Sequence, residues 1–381
     1  MSEPLTRRVV ATGSDAEAIA VELVERLRAP GLRLAYIVAD WRIDPGVLAR
    51  VTHRGLAPAA VVGGTTVGVI SAPSARVGDG PLAAAALGLY GDWVGVGVGV
   101  ATDLPKAPLT RSRDAVQQAA VSLGTTAQLL DASRHVGLTI VDGRCGHEEA
   151  FCIGSAAAAP QIRMIGGCTA SEPRTSRKPY IWVNGEVLND AGAVVLLDSE
   201  LPFHAITSAH LLPTDVKTVV TNASGHVLTE LDGRPAAPRL RELVAQLGDH
   251  LDEPQPTRFA FARYMGGVPY VRAITLVERD HVQLATGVEP GHVLRLMRPG
   301  DLIGATRRDL AAAAERVGGM AALIAISCTG RHWEATVRGL ERELDDVYGA
   351  YPTIGYQSFG EQSGMLLVNY TLTALAIGAR R

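Results

Sequence analysis

What most constrains this chain is a feature that occurs three times: a nearly continuous apolar run ending in a polar or thiol side chain. LRLAYIVAD ends at Asp40, VGLTIVDG passes Asp142, and AALIAISC ends at Cys328. A strand that is apolar at every position, rather than at every second one, must be covered on both faces, as strands of α/β sheets are. After a helical stretch, each run is followed by a strand that enters glycine: Val62-Gly-Gly-Thr-Thr66, Ile165-Gly-Gly-Cys-Thr169 and Ile354-Gly-Tyr-Gln-Ser358. The intervals from Asp40 to Gly63, Asp142 to Gly166 and Cys328 to Gly355 are 23, 24 and 27 residues.

The same order extends in both directions. An apolar strand ending in a polar loop precedes each run: VVATGSD near Val9, VGVATD near Val98 and VLRLMRPGD near Val293. An amphipathic helix follows each. The first is announced by a capping box, Ser14-Asp-Ala-Glu17, and the others are expected from Ser112 to Leu123 and from Thr306 to Val317. GPLAAAALGL, AGAVVLLDS and YTLTALAIG close the three stretches. The expected fold is α/β, with repeated strand-helix-strand units building a shared core: three pseudo-equivalent copies, Asp40, Asp142 and Cys328 standing at equivalent strand ends.

Between the second and third copies lies a different, hairpin-rich segment. VVTNASGHVLTELDG reads as a hairpin around Ser224-Gly225 closed by the Asp232-Gly233 turn, and Pro238 opens a helix. Leu251–Arg258, LDEPQPTR, is the best linker candidate. Within Val94–Val100, valine and glycine alternate strictly, so one strand face is bare of side chains and a helix or another backbone can approach it closely.

Composition excludes several classes. Lys+Arg total 36 against 39 Asp+Glu, only three of the basic residues are lysines, and they form no run that could track phosphates, so nucleic acid is not expected as a partner. Pro81–Ala101 is apolar but interrupted by Asp92 and rich in glycine, which disfavours a membrane span. Four cysteines without a CxxC pair, and an N-terminus without an apolar signal core, make a reducing cytoplasm the default location.

The last third of the chain carries a resemblance. Ser327-Cys-Thr-Gly-Arg331, Gly355-Tyr-Gln-Ser-Phe-Gly-Glu361 and Asn369-Tyr-Thr371, with the ELDG segment upstream, resemble the signatures of the FIST family, intracellular ligand-sensing proteins with an N-terminal and a C-terminal part. The resemblance divides the chain into residues 1–215 and 216–381. It implies a small-molecule ligand, amino-acid-like or otherwise polar, and, with no output domain attached, a separate signalling protein as a further partner. It also raises haem as an alternative ligand, although no C-x-x-C-H attachment motif is present. The N-terminal part departs from the pattern: Gly64-Thr-Thr-Val-Gly68-Val69 has glycine where the family usually carries cysteine.

Ligands of parallel α/β sheets bind beyond the carboxyl ends of the strands. The residues expected there, lining one cavity, are Asp142, Cys168, Thr169, Cys328, Arg331, Glu361 and Asn369. Arg331 could clamp a carboxylate in two-point fashion or form a structural ion pair with Glu361. Glu361 could act as a base, receive a ligand ammonium group or cap a helix. Asn369 could orient a ligand amide or hold a turn. Cys328 is either a small buried residue or, with His332 or Glu361 as base, the nucleophile of an amide- or acyl-transfer enzyme. The glycine pairs Gly63-Gly64 and Gly166-Gly167 read as tight turns or as amides open to an anion. Cys145-Gly-His147 with Cys152 lacks the paired spacing of a zinc site, and no metal is expected.

Overall fold

In the computed structural model, which describes residues 5–71, 81–172, 176–251 and 258–379, the apolar runs are strands with two buried faces. Leu34, Tyr36 and Val38 face a core drawn from all three parts of the chain, while Ala35, Ile37 and Ala39 pack under helices. The first part consists of β1 (Thr6–Gly13), α1 (Ala16–Leu27), β2 (Leu32–Asp40), α2 (Pro45–Leu56), β3 (Ala60–Thr66), β4 (Val69–Ser71) and β5 (Leu82–Tyr90). The second comprises β6 (Val94–Ala101), α3 (Pro108–Ser122), β7 (His135–Val141), α4 (Glu148–Ala158), β8 (Arg163–Cys168), β9 (Ile181–Val183), β10 (Glu186–Leu188) and β11 (Gly192–Ser199).

The third part opens with β12 (Phe203–Ala209) and is then interrupted. The interruption holds β13 (Leu212–Ser224), β14 (Val227–Leu231), β15 (Arg234–Pro235), α5 (Ala236–Ala245), β16 (Ala260–Met265), β17 (Val268–Val277), β18 (Val282–Leu284) and β19 (Val293–Arg298). It closes with α6 (Leu302–Arg316), β20 (Met320–Cys328), α7 (Thr329–Arg338), α8 (Glu341–Gly349), β21 (Thr353–Ser358), β22 (Glu361–Ser363), β23 (Leu366–Val368) and β24 (Thr371–Gly378).

Three sheets share one plan. Parallel pairs β2–β3, β7–β8 and β20–β21 are flanked by antiparallel β5, β11 and β24, beyond which lie β1, β6 and β12. Each sheet is extended by a short strand from elsewhere: β9 on β3, β22 on β8 and β4 on β21. Alternate residues of the central strands point into the common core, and the others pack against α1 and α2, α3 and α4, or α6 to α8. The interruption forms its own seven-stranded sheet, with a separate core around Leu240, Phe259 and Phe261.

Several expectations need correction. Val293–Arg298 is not the outer strand of the third sheet but belongs to the seven-stranded one; β12 holds the outer place against β24. The hairpin segment is therefore inserted after the first strand of the third part rather than ahead of that part. At α1 the cap is Asp15, whose carboxylate accepts from Ala18 N at 2.9 Å, not Ser14. The glycine pairs 63–64 and 166–167 are neither turns nor open amides: they lie buried inside β3 and β8, where a Cβ on Gly63 would stand 1.9 Å from Ile37 O.

The glycine face of β6 meets α3, and a Cβ at Gly97 or Gly99 would stand 2.1 or 1.9 Å from the carbonyls of Ala119 and Ala115. The predicted hairpin and turn are present as β13–β14 and β14–β15. Residues 252–257 of the linker candidate lie outside the described residues. Among the described residues no helix is long and apolar enough to cross a membrane.

Candidate functional site

The carboxyl ends of β7 and β20 are built alike. Asp142, just past β7, accepts from Arg144 N at 3.0 Å through Oδ1 and from Asp190 N at 2.7 Å through Oδ2. At Cys328 the acceptor is sulfur, and the backbone N–H groups of Gly330 and Tyr370 point to it. Asp190 and Tyr370 each precede the last strand of their sheet in the left-handed region, with φ of 48° and 55°, and that conformation turns their amides inward. A tyrosine holds it only where its surroundings fix it; its ring packs on Gly330, where a Cβ would meet it at 2.9 Å. At the end of β2, Asp40 likewise accepts from Arg42 N at 2.9 Å.

Glu361, fully buried at the start of β22, lies beside the thiol end. Its carboxyl takes hydrogen bonds from the hydroxyl of Ser358, from Thr371 Oγ1 at 2.7 Å and from Thr371 N at 3.4 Å. Burial pushes its pKa up to about 8, against the pull of those bonds, so near neutrality it is largely protonated. Cys168 N donates to Gly360 O at 2.8 Å, which joins β8 to this turn. The Thr169 hydroxyl lies 3.3 Å from Val141 O and accepts from Gly143 N at 3.3 Å. Burial raises the pKa of Asp142 and pushes the thiols of Cys168 and Cys328 well up, with Glu361 adding to the rise at both cysteines.

Arg331 does not form the expected ion pair with Glu361. From the first turn of α7 it reaches back to α6, with Nη2 donating to Thr306 Oγ1 at 2.7 Å and Nη1 lying 3.4 Å from His210 Nδ1. His210 Nε2 lies 2.6 Å from Glu334, whose other oxygen accepts from Arg338 at 2.6 Å. Apart from Arg331, the members of this buried network lie outside the expected set; their only local sign was Glu334, one helical turn from Arg331. His332 stacks on Tyr348 at 6.5 Å. Asn369 ties the insertion to the third sheet: Oδ1 accepts from Ala273 N at 3.2 Å, and Nδ2 donates to Phe359 O at 3.3 Å.

The neighbour of Ala273 is a residue that sequence reasoning missed. Arg272 is 7% exposed, donates from Nη1 to Thr286 at 2.6 Å, and has Nη2 3.5 Å from the half-exposed Glu149 of α4. Its Nε has no partner. Burial lowers its pKa, and Arg263 adds like charge. All seven expected residues are themselves buried. Two cavities, of about 620 and 560 Å³, lie elsewhere and are lined by none of them. Among the described residues no group of three or more histidines, cysteines or carboxylates is placed to hold a metal ion.

Comparison with known proteins adds the following. The family model described as FIST N domain matches residues 33–234, and that described as FIST C domain matches residues 236–364. An uncharacterized protein of Methanocaldococcus jannaschii is 35% identical over 85 residues, which are 22% of this chain and only 16% of that protein. Among solved structures, a cyanuric acid hydrolase from A. caulinodans aligns over 99% of this chain and 100% of its own at 11% identity and a TM-score of 0.43. PurLQS from Thermotoga maritima aligns over 98% and 72% at 10% identity and a TM-score of 0.19. Likenesses of that strength bear no argument about activity.

Proposed function

Because the chain belongs to the FIST family, whose domains are associated with sensing small ligands, we propose that it is a cytoplasmic small-molecule binding protein that passes its signal to a separate partner. The ligand is amino-acid-like, held where the insertion meets the carboxyl ends of β7, β8 and β20. One observation carries this reading: Arg272 is a buried cation with an unpartnered N–H beside the Asn369 bridge. A ligand carboxylate would complete it, and an ammonium group would face Glu149. Asp142, Cys168, Thr169, Cys328, Glu361 and Asn369 form the polar shell behind, and Arg331 stiffens α7 from the other side. The three sheets of like order are read as pseudo-equivalent copies of one unit.

The same surroundings disfavour a cysteine nucleophile, because burial and Glu361 hold Cys328 as a thiol. His210 is a poor candidate for a haem ligand, since its Nε2 is engaged by Glu334. The test is native mass spectrometry of freshly purified protein with a visible spectrum, followed by calorimetric titration of the twenty amino acids. Arg272→Gln should weaken binding at least about tenfold, the worth of one charge-assisted hydrogen bond. Unchanged affinity in that variant overturns the site, and a Soret band in the purified protein overturns the ligand class.

A further inference from the structure

The three outer strands β1, β6 and β12 each pair with one neighbour in their own sheet, so each leaves a second edge, and an unprotected edge is a template for another strand. Two of these edges are guarded. β1 carries Arg7 and Arg8, and Arg26 of α1 donates to Val10 O at 2.8 Å. β12 is tied through Thr207 to Ser363 at 2.8 Å. β6, with the sequence VGVGVGVA, has no charge and no proline in eight residues.

The direction of the β6 backbone follows from two bonds. Glu200 N, just past β11, donates to Trp93 O at 2.9 Å, whereas Val100 N donates away from β11 to Gln118 Oε1 at 3.2 Å. In an antiparallel pair these directions alternate. Val94, Val96 and Val98 therefore turn their amide and carbonyl groups to the open edge. That edge borders the cavity of about 620 Å³, whose other wall is Leu32, His53, Pro58, Ala60 and Asn184. At its Val94 end, Arg33 pairs with Asp92 and Arg134 with Asp198, while Glu200 forms no ion pair among the described residues.

We propose that the free edge of β6 is a docking site for an extended segment of a partner protein, which adds as a strand along Val94–Val98 and places a basic residue beside Glu200. Backbone pairing supplies the affinity of such strand addition, and the valines and Glu200 supply selectivity. The cavity gives the added strand room between β6 and the amino ends of β2 and β3. This surface lies at the opposite ends of the strands from the proposed ligand site and stands independently of it.

The probe is a fluorescent peptide of alternating valine and threonine with one terminal lysine, followed by anisotropy. Binding is expected, with slowed amide exchange at Val96 and Val98. Methylating alternate backbone nitrogens of the peptide should weaken it about tenfold, the loss expected from a missing hydrogen bond. Val98→Pro removes an outward N–H without touching the β11 ladder and, in its folded form, should do the same. Glu200→Lys, on the surface, should weaken binding without affecting folding. No binding, equal binding of the methylated peptide, or wild-type binding by folded Val98→Pro overturns the proposal. So does sedimentation showing that a second copy of the chain occupies the edge and excludes the peptide.

Discussion

Asp142 and Cys328 close parallel strands in the same way but with opposite chemistry. Each receives two backbone N–H groups, one from two residues onward and one from a left-handed residue ahead of the final strand. A carboxylate in that place is a strong acceptor that holds its turn; a thiol is a weak one. The thiol turn has Glu361 against it, whereas the Asp142 turn faces Asp190 and Glu148. The difference separates a turn held by its own side chain from one held by what surrounds it.

The largest test of that contrast is pH. The native state holds a proton on Glu361 up to about 8, while an unfolded glutamate loses it near 4.5. Between those values the native state binds the extra proton, so this contribution is present below 4.5 and is lost as pH rises through 8. The loss is of the order of 5 kcal/mol by linkage. Urea unfolding across that window should show a steeper decline in the parent than in Glu361→Gln, the difference being the contribution of Glu361; parallel profiles would place the proton elsewhere.

Removing the strong acceptor comes next. Asp142→Ala leaves the part-buried amides of Arg144 and Asp190 without their acceptor and should cost about 2 kcal/mol, again read by urea unfolding. A cost below that of Cys328→Ala would reverse the comparison. Cys328→Ala itself should cost about 1 kcal/mol, for a lost sulfur contact and a small cavity. In the folded parent, Cys328 should resist iodoacetamide at neutral pH, and mass mapping of fast labelling there would contradict a buried thiol.

Much of this architecture was legible in the chain because burial on both faces writes itself into every residue of β2, β7 and β20. The third outer strand was not. Val293–Arg298 stands directly before the cap of α6, where local pattern places an outer strand, while the true one, β12, lies about 90 residues upstream of α6 (209 to 302) and looks half-polar. The site was legible in its residue types but not in its pairings. Arg331 and Glu361 follow different strands, and only the folded arrangement shows that Thr306 and His210 take the guanidinium. Arg272 carried no local signal, since an arginine in a strand is ordinarily exposed.

The exchange of short strands also bears on when the molecule can finish folding at the ribosome. The third sheet needs β4, made near residue 70, and the second needs β22, made near residue 361. Until Glu361–Ser363 has left the exit tunnel, β8 lacks its neighbour, and the central core that all three sheets share stays open. The nascent protein is therefore exposed while its first two parts are made, and its native stability belongs to all three parts together.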